Sequence, residues 1–127
     1  MKKLPKVSTV RNKLWQLCRK LADKLYPPTC YTCGAANLTG SNKQLGHFIP
    51  SSTCGAYLRY DMRNLRFQCM RCNIHAGGNG AEYYRRMVTE VGQDAVDQLF
   101  KDKEVFTKAD RLWYEREIAA KKELLAR

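Results

Sequence analysis

Cys30-Tyr-Thr-Cys33 and Cys69-Met-Arg-Cys72 are two Cys-x-x-Cys pairs in a chain of 127 residues. A two-residue spacer lets both sulfurs of a pair reach the same ion, and four thiolates in a tetrahedron form a common structural Zn²⁺ site. Gly34, directly after the first pair, permits the tight turn that aims both sulfurs at the ion. A redox-active Cys-x-x-Cys is instead typical of a βαβ pattern, so the pairs predict one structural zinc.

The other cysteines and the N-terminus bear on the cellular compartment. Cys18 falls on the apolar face of a predicted helix and Cys54 has no nearby partner, so neither is expected to bind the metal. The basic stretch at residues 1–6 is not followed by the apolar segment of a signal peptide, and no apolar run is long enough to cross a membrane. We therefore expect a cytoplasmic protein with no membrane partner, whose reduced cysteines can bind metal.

The charge of the chain indicates a polyanionic partner. Lys and Arg number 23 against 12 Asp and Glu, which gives a net charge of +11. Such an excess is typical of nucleic-acid-binding proteins, and arginine guanidinium groups grip phosphates through paired hydrogen bonds. A solvated basic face is the alternative for some of these residues, and nothing indicates base-specific recognition. The candidate DNA contacts near the second cysteine pair are Arg59, Arg63, Arg66, Arg71, His75, Arg85 and Arg86.

Apolar spacing predicts helices at both ends of the chain. One is expected over residues 8–26, capped by Ser8 or Thr9, because apolar residues recur there every three or four positions. Two more are expected at 93–101 and from a capping-box-like start at Thr107 and Asp110 to the C-terminus.

Between these helices the sequence predicts the mixed elements of an α+β core. Strands are expected at 44–49, 57–60 and 65–68. A helix should begin at the second cysteine pair, break at 76–80 and continue to Val91. We therefore predict a single domain over residues 1–127, in which a zinc-stapled core at 28–92 is flanked by helices at 8–26 and 93–127.

Two further residues inside this core carry candidate chemistry. His47 lies in a predicted strand between Gly46 and Phe48, and an imidazole with a pKa near neutrality is a usable base for taking a proton from water. Asn73 directly follows the second cysteine pair, and its amide oxygen is a hard ligand suited to Mg²⁺ or Mn²⁺. Asn is also a good helix cap, and its position favours neither interpretation of Asn73.

The order His47, Asn64, Cys69-x-x-Cys72-Asn73 resembles the HNH, or ββα-metal, nucleases. In that family the first histidine is the general base on a strand, the middle asparagine holds the loop that orients it, and the final His or Asn binds one catalytic metal. The resemblance implies these roles for His47, Asn64 and Asn73, with Mg²⁺ or Mn²⁺ as the metal. It also implies a zinc-anchored, treble-clef-like ββα-metal core, similar in layout to phage endonuclease VII.

A closer resemblance is to the phage recombination endonuclease family NinG, also called Rap. It covers roughly residues 28 to 90. Proteins of this family are encoded by phages. The resemblance implies that this protein acts on branched DNA in the bacterial host cell. The matching positions are Cys30, Cys33, Gly46-His47-Phe48, Arg59, Asn64, Gln68-Cys69, Cys72-Asn73, Gly78-Asn79 and Tyr83.

The chain departs from the wider HNH pattern just before the base. An Asp or His usually stands there and helps to bind the metal, whereas this chain has Gly46. The second protein ligand of the catalytic metal therefore remains open between Asn79, His75 and Asp61. Asn79 is favoured because it matches the Gly-Asn of the closer family.

Taken together, the sequence predicts a structure-selective endonuclease that hydrolyses phosphodiester bonds in branched recombination intermediates such as Holliday junctions and D-loops. Cutting both strands at a junction would favour a homodimer. The alternative is a non-catalytic, zinc-stabilised nucleic-acid-binding module, and a third hypothesis is a zinc-stabilised adaptor for a protein partner. Neither alternative requires His47 or Asn73.

Overall fold

A computed structural model describes residues 3–127, and its first helix, α1, spans Val7–Leu25. The predicted apolar face of this helix is buried, but the predicted cap is wrong. The backbone N–H groups of Thr9 and Val10 bond the carbonyl of Lys6, so Ser8 and Thr9 lie inside the first turn. The helix ends where Tyr26 becomes extended, as the residue before a proline favours.

Strands β1, Gln44–His47, and β2, Leu65–Gln68, form a two-stranded antiparallel sheet in the described part of the chain. The register pairs Gln44 with Gln68 and His47 with Leu65. Strand β2 matches its prediction, whereas β1 stops two residues earlier than expected. The reason is that the backbone N–H of Ile49 bonds the side-chain oxygen of Asn64 at 2.7 Å instead of a strand carbonyl.

The strand predicted at residues 57–60 is wrong, because this segment forms a short helix, α2, over Ala56–Arg59. The N–H of Arg59 bonds the carbonyl of Gly55 at 3.1 Å, which closes a helical turn where a sheet ladder was expected. A 3₁₀ turn over Met62–Asn64 follows, and Asp61 caps it by accepting a bond from the N–H of Arg63 at 2.9 Å.

The second cysteine pair lies at a helical turn, as predicted. A π-helical turn covers Arg71–His75, and helix α3 spans Gly80–Val91. Between them, Gly77 and Gly78 have positive φ, which ends the first turn and redirects the chain. The predicted interruption near residues 76–80 is therefore confirmed.

Helix α4 spans Gln93–Asp102 and helix α5 spans Arg111–Ala126. The carboxylate of Asp110 accepts a hydrogen bond from the N–H of Trp113 at 2.9 Å, so Asp110 is the N-cap of α5. The predicted helix start is confirmed, but the cap is Asp110 and not Thr107. Helix α5 packs along α1, so the two ends of the chain lie side by side. Among residues 3–127, no helix is long and apolar enough to cross a membrane.

The buried side chains form two apolar clusters that meet at β1. The first joins α1, α5, the sheet and the cysteines, and includes Leu45. The second joins α2, α3 and α4, and includes Phe48 and Ile49 directly after β1. His47 lies between the two clusters, where both hold the end of β1 in place.

Candidate functional site

The four predicted zinc ligands come together in the structure. The sulfur atoms of Cys30, Cys33, Cys69 and Cys72 all lie within 4.8 Å of one another, and those of Cys33 and Cys69 are 3.7 Å apart. Zn–S bonds of about 2.3 Å in a tetrahedron place sulfurs about 3.8 Å apart, so the cluster can hold a zinc ion. As predicted, Cys54 and Cys18 are not part of the cluster.

Polar neighbours prepare these sulfurs for a cation. Burial opposes ionisation of Cys30, but hydrogen bonds from the Thr32 hydroxyl and the backbone of Cys69 outweigh it and lower the pKa of that thiol to about 6. Burial raises the pKa of Cys72 to about 11, against the bonds that Thr32 and Asn79 donate to it. One thiolate makes the next harder to form, and a bound cation removes that penalty.

His47 is held in one tautomer at the end of β1. Its Nε2 lies 2.9 Å from the backbone carbonyl oxygen of Arg59. A carbonyl oxygen only accepts hydrogen bonds, so Nε2 carries the proton and the neutral ring keeps its lone pair on Nδ1. Burial lowers the pKa of His47 below its usual 6.5, and the charge of Arg59 acts in the same direction. The imidazole is therefore a neutral base at neutral pH.

An open pocket of about 220 Å³ lies against His47. Its wall includes Trp15 of α1, whose ring stacks on the imidazole with centroids 5.4 Å apart and planes 11° from parallel. Arg11 and Arg59 line the same pocket, beside the hydroxyl-bearing Ser51 and Tyr60. The guanidinium of Arg59 donates to the backbone carbonyls of Ser51 at 3.2 Å and Cys54 at 3.4 Å. A pocket with this charge suits a phosphate group next to the base.

Asn64 is fully buried and ties the loop after β1 to α2. Its Oδ1 accepts from the N–H of Ile49 at 2.7 Å, and its Nδ2 donates to the carbonyls of Ile49 at 3.0 Å and Leu58 at 3.4 Å. Leu58 precedes Arg59, whose carbonyl holds the imidazole of His47. Asn64 thus braces the backbone that orients the histidine.

Asn73 lies inside the π-helical turn after Cys72, so the interpretation of it as a helix cap is wrong. Its Nδ2 donates to Oε1 of Gln44 at 2.9 Å. Its Oδ1 lies 3.0 Å from the position that a Cβ on Gly46 would occupy. The amide oxygen of Asn73 therefore sits beside the residue that precedes His47.

The three residues left open as the second metal ligand have other contacts. Asn79 donates its amide to the sulfur of Cys72 at 3.6 Å, which engages it with the thiol cluster. Asp61 binds Arg63 through both carboxylate oxygens. His75 is exposed at the end of the π-helical turn. None of them forms a hydrogen bond with Asn73 or His47 in the described structure.

The residues predicted to contact DNA differ in exposure and in the ion pairs that they form within the protein. Arg66 is a correction, because it is only 5% exposed, pairs with Glu90 at 2.8 Å and lies over the rings of Tyr26 and Tyr31. Arg63 is engaged by Asp61 and Asp102. Arg63 is nevertheless exposed, as are Arg71, His75, Arg85 and Arg86, and Arg85 pairs with Glu82 at 3.5 Å. Arg59 is half-buried at the pocket of His47.

Sequence reasoning missed Arg11 and Trp15, which lie on α1 outside the cysteine-bounded segment. Arg11 belongs to the basic face of that helix, which was expected to be solvated. One sequence feature could have indicated that they share a surface: Arg11 and Trp15 are four residues apart on the predicted helix, so both lie on the same side of it, beside the buried apolar face.

Fold and site together define a mixed helix-and-sheet protein with a four-cysteine cluster that can hold a zinc ion. The chain belongs to the family described as Bacteriophage Lambda NinG protein, whose model matches residues 6–126. The resemblance to NinG is thereby confirmed.

Curated relatives agree with this membership. The chain is 36% identical over 70 residues to Protein ninG of Escherichia phage 933W, which covers 55% of this chain and 33% of that relative. It is 34% identical over 70 residues to Protein ninG of Escherichia phage lambda, with the same coverage. Protein ninG of Salmonella phage P22 is 34% identical over 73 residues, or 58% of this chain and 34% of the relative. The chain thus spans about a third of the length of these relatives. No solved structure matches it significantly.

Proposed function

We propose that this protein is an HNH-type, metal-dependent endonuclease that hydrolyses phosphodiester bonds in branched DNA within the bacterial host cell. The observation that carries the proposal is the 2.9 Å contact between Nε2 of His47 and the carbonyl of Arg59. It leaves Nδ1 as the proton acceptor, and the pocket against the ring is lined by Arg11 and Arg59. A histidine with only a packing role would also bond a carbonyl, but it would not need an arginine-lined pocket beside it.

In this mechanism, Nδ1 of His47 takes a proton from the attacking water. The lowered pKa keeps the ring neutral, so the base is ready at neutral pH without prior deprotonation. Arg11 binds the scissile phosphate, because it lines the pocket beside the imidazole. Arg59 adds its positive charge while the backbone carbonyls of Ser51 and Cys54 hold its guanidinium. Asn64 preserves the geometry by bracing α2, which ends at Arg59.

The donor set also fits the divalent metal that this chemistry uses. Mg²⁺ and Mn²⁺ prefer oxygen ligands, and Asn73 presents an amide oxygen beside Gly46 while its nitrogen is held by Gln44. When bound there, the ion would stabilise the charge that develops on the phosphate. The sulfur cluster is a separate site, whose zinc would maintain the fold.

Branched DNA is the proposed substrate because of the family and the exposed charge. Arg71 within the second cysteine pair, and Arg85 and Arg86 on α3, are exposed and can contact backbone phosphates. Phosphate contacts position DNA without reading its bases, so selection by branched shape is expected, for Holliday junctions and D-loops alike. Paired cuts at a four-way junction would be made by a homodimer.

Cleavage of synthetic four-way junctions and linear duplexes, with added Mg²⁺ or Mn²⁺, tests this function. Wild type should cut junctions, and His47→Ala should cut them at least about 100-fold more slowly, since a general base contributes 10²–10⁴-fold. Junction binding by His47→Ala should be unchanged. Gln98→Ala, on an exposed part of α4, is the control for a neutral substitution.

Two results would contradict the proposal in different ways. Cleavage by His47→Ala at the wild-type rate would remove His47 from the chemistry. Junction binding by wild type without cleavage under either metal would support the non-catalytic nucleic-acid-binding module instead.

A further inference from the structure

Gln68 at the end of β2 carries a buried side-chain oxygen that accepts no hydrogen bond from the described residues. Its Nε2 donates to the hydroxyl of Thr32 at 3.1 Å and to the carbonyl of Gly78 at 2.9 Å. The carbonyl can only accept, so this end of the amide must be the nitrogen. Oε1 finds no hydrogen-bond partner among the described residues, although buried polar atoms nearly always have one.

This oxygen occupies the space that a side chain on residue 46 would need. A Cβ on Gly46 would lie 1.9 Å from Oε1 of Gln68 and 3.0 Å from Oδ1 of Asn73. The φ of Gly46 is not among the positive values of the chain, so its backbone conformation does not require glycine. Glycine is needed at position 46 because the amide of Gln68 occupies the space that a side chain there would fill.

Two amide oxygens from different elements therefore approach one point, beside the residue that precedes His47. Each is oriented by its own nitrogen: Asn73 by its bond to Gln44, and Gln68 by its two donated bonds. Neutral amide oxygens are hard ligands of the kind that Mg²⁺ and Mn²⁺ accept alongside water.

We infer that Oε1 of Gln68 is the second protein ligand of the divalent metal and replaces the side chain that Gly46 lacks. The inference rests on the proposed function, which brings the metal to Asn73. A bond from Oε1 of Gln68 to the metal would explain two observations: this buried oxygen has no hydrogen-bond partner among the described residues, and residue 46 has no side chain that could be a ligand. Asn79, the ligand favoured from the sequence, is instead engaged by the sulfur of Cys72.

A purely structural Gln68 is the competing explanation. Its nitrogen bonds to Thr32 and Gly78 and brings the first cysteine pair toward the loop before α3. If that were its whole role, its loss would destabilise the fold and leave the affinity for the divalent metal unchanged. The measurement must therefore read metal binding and folding separately.

Binding of Mn²⁺ to the full chain carrying one zinc, followed by electron paramagnetic resonance, makes this separation. The variants are Asn73→Ala and Gln68→Met, which keeps length and volume but removes the oxygen. Both should bind Mn²⁺ at least tenfold more weakly than wild type, because loss of even an outer partner of a metal costs about 10–100-fold. Zinc content and thermal unfolding report whether each variant remains folded.

Two further variants keep the test decisive if Gln68→Met does not fold. Gly46→Ala places a methyl group against Oε1 and should lower Mn²⁺ affinity while Gln68 is still present. The exchange variant Gly46→Asp/Gln68→Ala moves the ligand to residue 46, in the space that Gln68 leaves. It should bind Mn²⁺ at least tenfold more tightly than Gln68→Ala alone.

The outcomes distinguish this inference from the function on which it rests. If Asn73→Ala loses Mn²⁺ while folded Gln68→Met binds it as wild type does, the assignment of Gln68 is overturned and the nuclease proposal stands. If wild type binds no Mn²⁺ and cuts no DNA, both are overturned.

Discussion

The indole of Trp15 and the imidazole of His47 lie face to face, 11° from parallel, although the two residues are 32 positions apart in the sequence. This contact removes water from one face of the proposed base. Burial is the main reason that the pKa of His47 is lowered, so the helix controls the proton affinity of a residue in another element.

The first prediction concerns that proton affinity. In wild type, the imidazole of His47 should titrate below 6.5, and Trp15→Ala should move the midpoint upward because water then reaches the ring. Nuclear magnetic resonance of the ring protons measures both midpoints. Cleavage by wild type should rise with pH through the lower pKa and then level off. An unchanged midpoint in Trp15→Ala would show that Trp15 does not dehydrate the ring.

The second prediction is the effect of the same shift on stability. The folded state binds the proton on His47 more weakly than the unfolded chain does, so the contribution is fully present above pH 6.5 and is lost as the pH falls through the folded-state pKa. Urea unfolding of wild type should weaken across this window more steeply than that of His47→Gln. Taking the difference between the two proteins cancels the protonation of the cysteines, which both share.

A third prediction concerns Asn64. Asn64→Ala leaves the buried N–H of Ile49 without its partner, at a cost of about 1–3 kcal/mol in the free energy of unfolding, and leaves the carbonyl of Ile49 with only the thiol of Cys54 at 3.9 Å. Cleavage should fall as well, because α2, which ends at Arg59, loses its brace. Asn64→Asp retains the acceptor for Ile49 but turns a carboxylate oxygen toward the carbonyls of Ile49 and Leu58, so it should also be destabilising at neutral pH and recover when acid protonates it. Urea denaturation and junction cleavage of the two variants provide the comparison.

The fourth prediction separates the cluster cysteines from the other buried cysteines. Cys69→Ser should lose the single tightly bound zinc and with it the cooperative thermal transition, because folding and metal binding are coupled. Cys54→Ala is the matched control, since Cys54 is equally buried but lies outside the cluster. It should retain one zinc per chain by elemental analysis. Loss of zinc from both variants would mean that the metal responds only to general destabilisation.

The fifth prediction contrasts two arginines. Arg86 is exposed on α3, so Arg86→Gln should weaken DNA binding and reduce the slope of log affinity against log salt by about 0.9, the value for one phosphate contact on duplex DNA. Arg66 is buried against Glu90, so Arg66→Gln should lower the melting temperature and leave that slope unchanged. Fluorescence anisotropy at several salt concentrations measures the slopes. Equal slopes for Arg86→Gln and wild type would exclude Arg86 from the interface.

Much of the architecture could be predicted because it depends on local patterns. The apolar face of α1 and the strand β2 each follow from residues close together in sequence. Residues 57–60 were misassigned because Tyr57-Leu58-Arg59-Tyr60 is too short for a period of two to be told from a helical turn. The Gly55 carbonyl, which bonds Arg59, decided the outcome.

The site was harder to predict because its contacts cross between elements. Residue spacing predicted the cysteine cluster, which the structure contains. The roles of His47 and Asn64 stay predictions, for His47 from its chemistry and for Asn64 from the family resemblance alone. The stacking of Trp15 and the approach of Gln68 to Gly46 depend on how α1 and β2 pack, and no spacing rule encodes either contact. Arg66 was predicted to contact DNA, but the same guanidinium chemistry that binds phosphate also binds a carboxylate. In the structure, the guanidinium of Arg66 pairs with Glu90 and lies over the rings of Tyr26 and Tyr31.

The packing of α5 along α1 bears on how proteins built this way can diverge. One wall of the pocket at His47 belongs to α1, which holds neither the proposed base nor a zinc ligand, and α5 supports that wall from behind. Substitutions that rotate or slide this pair of helices would reshape the pocket while His47 and the cysteines stay intact. In the proposed endonuclease, substrate preference can therefore evolve in the two terminal helices independently of the chemistry between them.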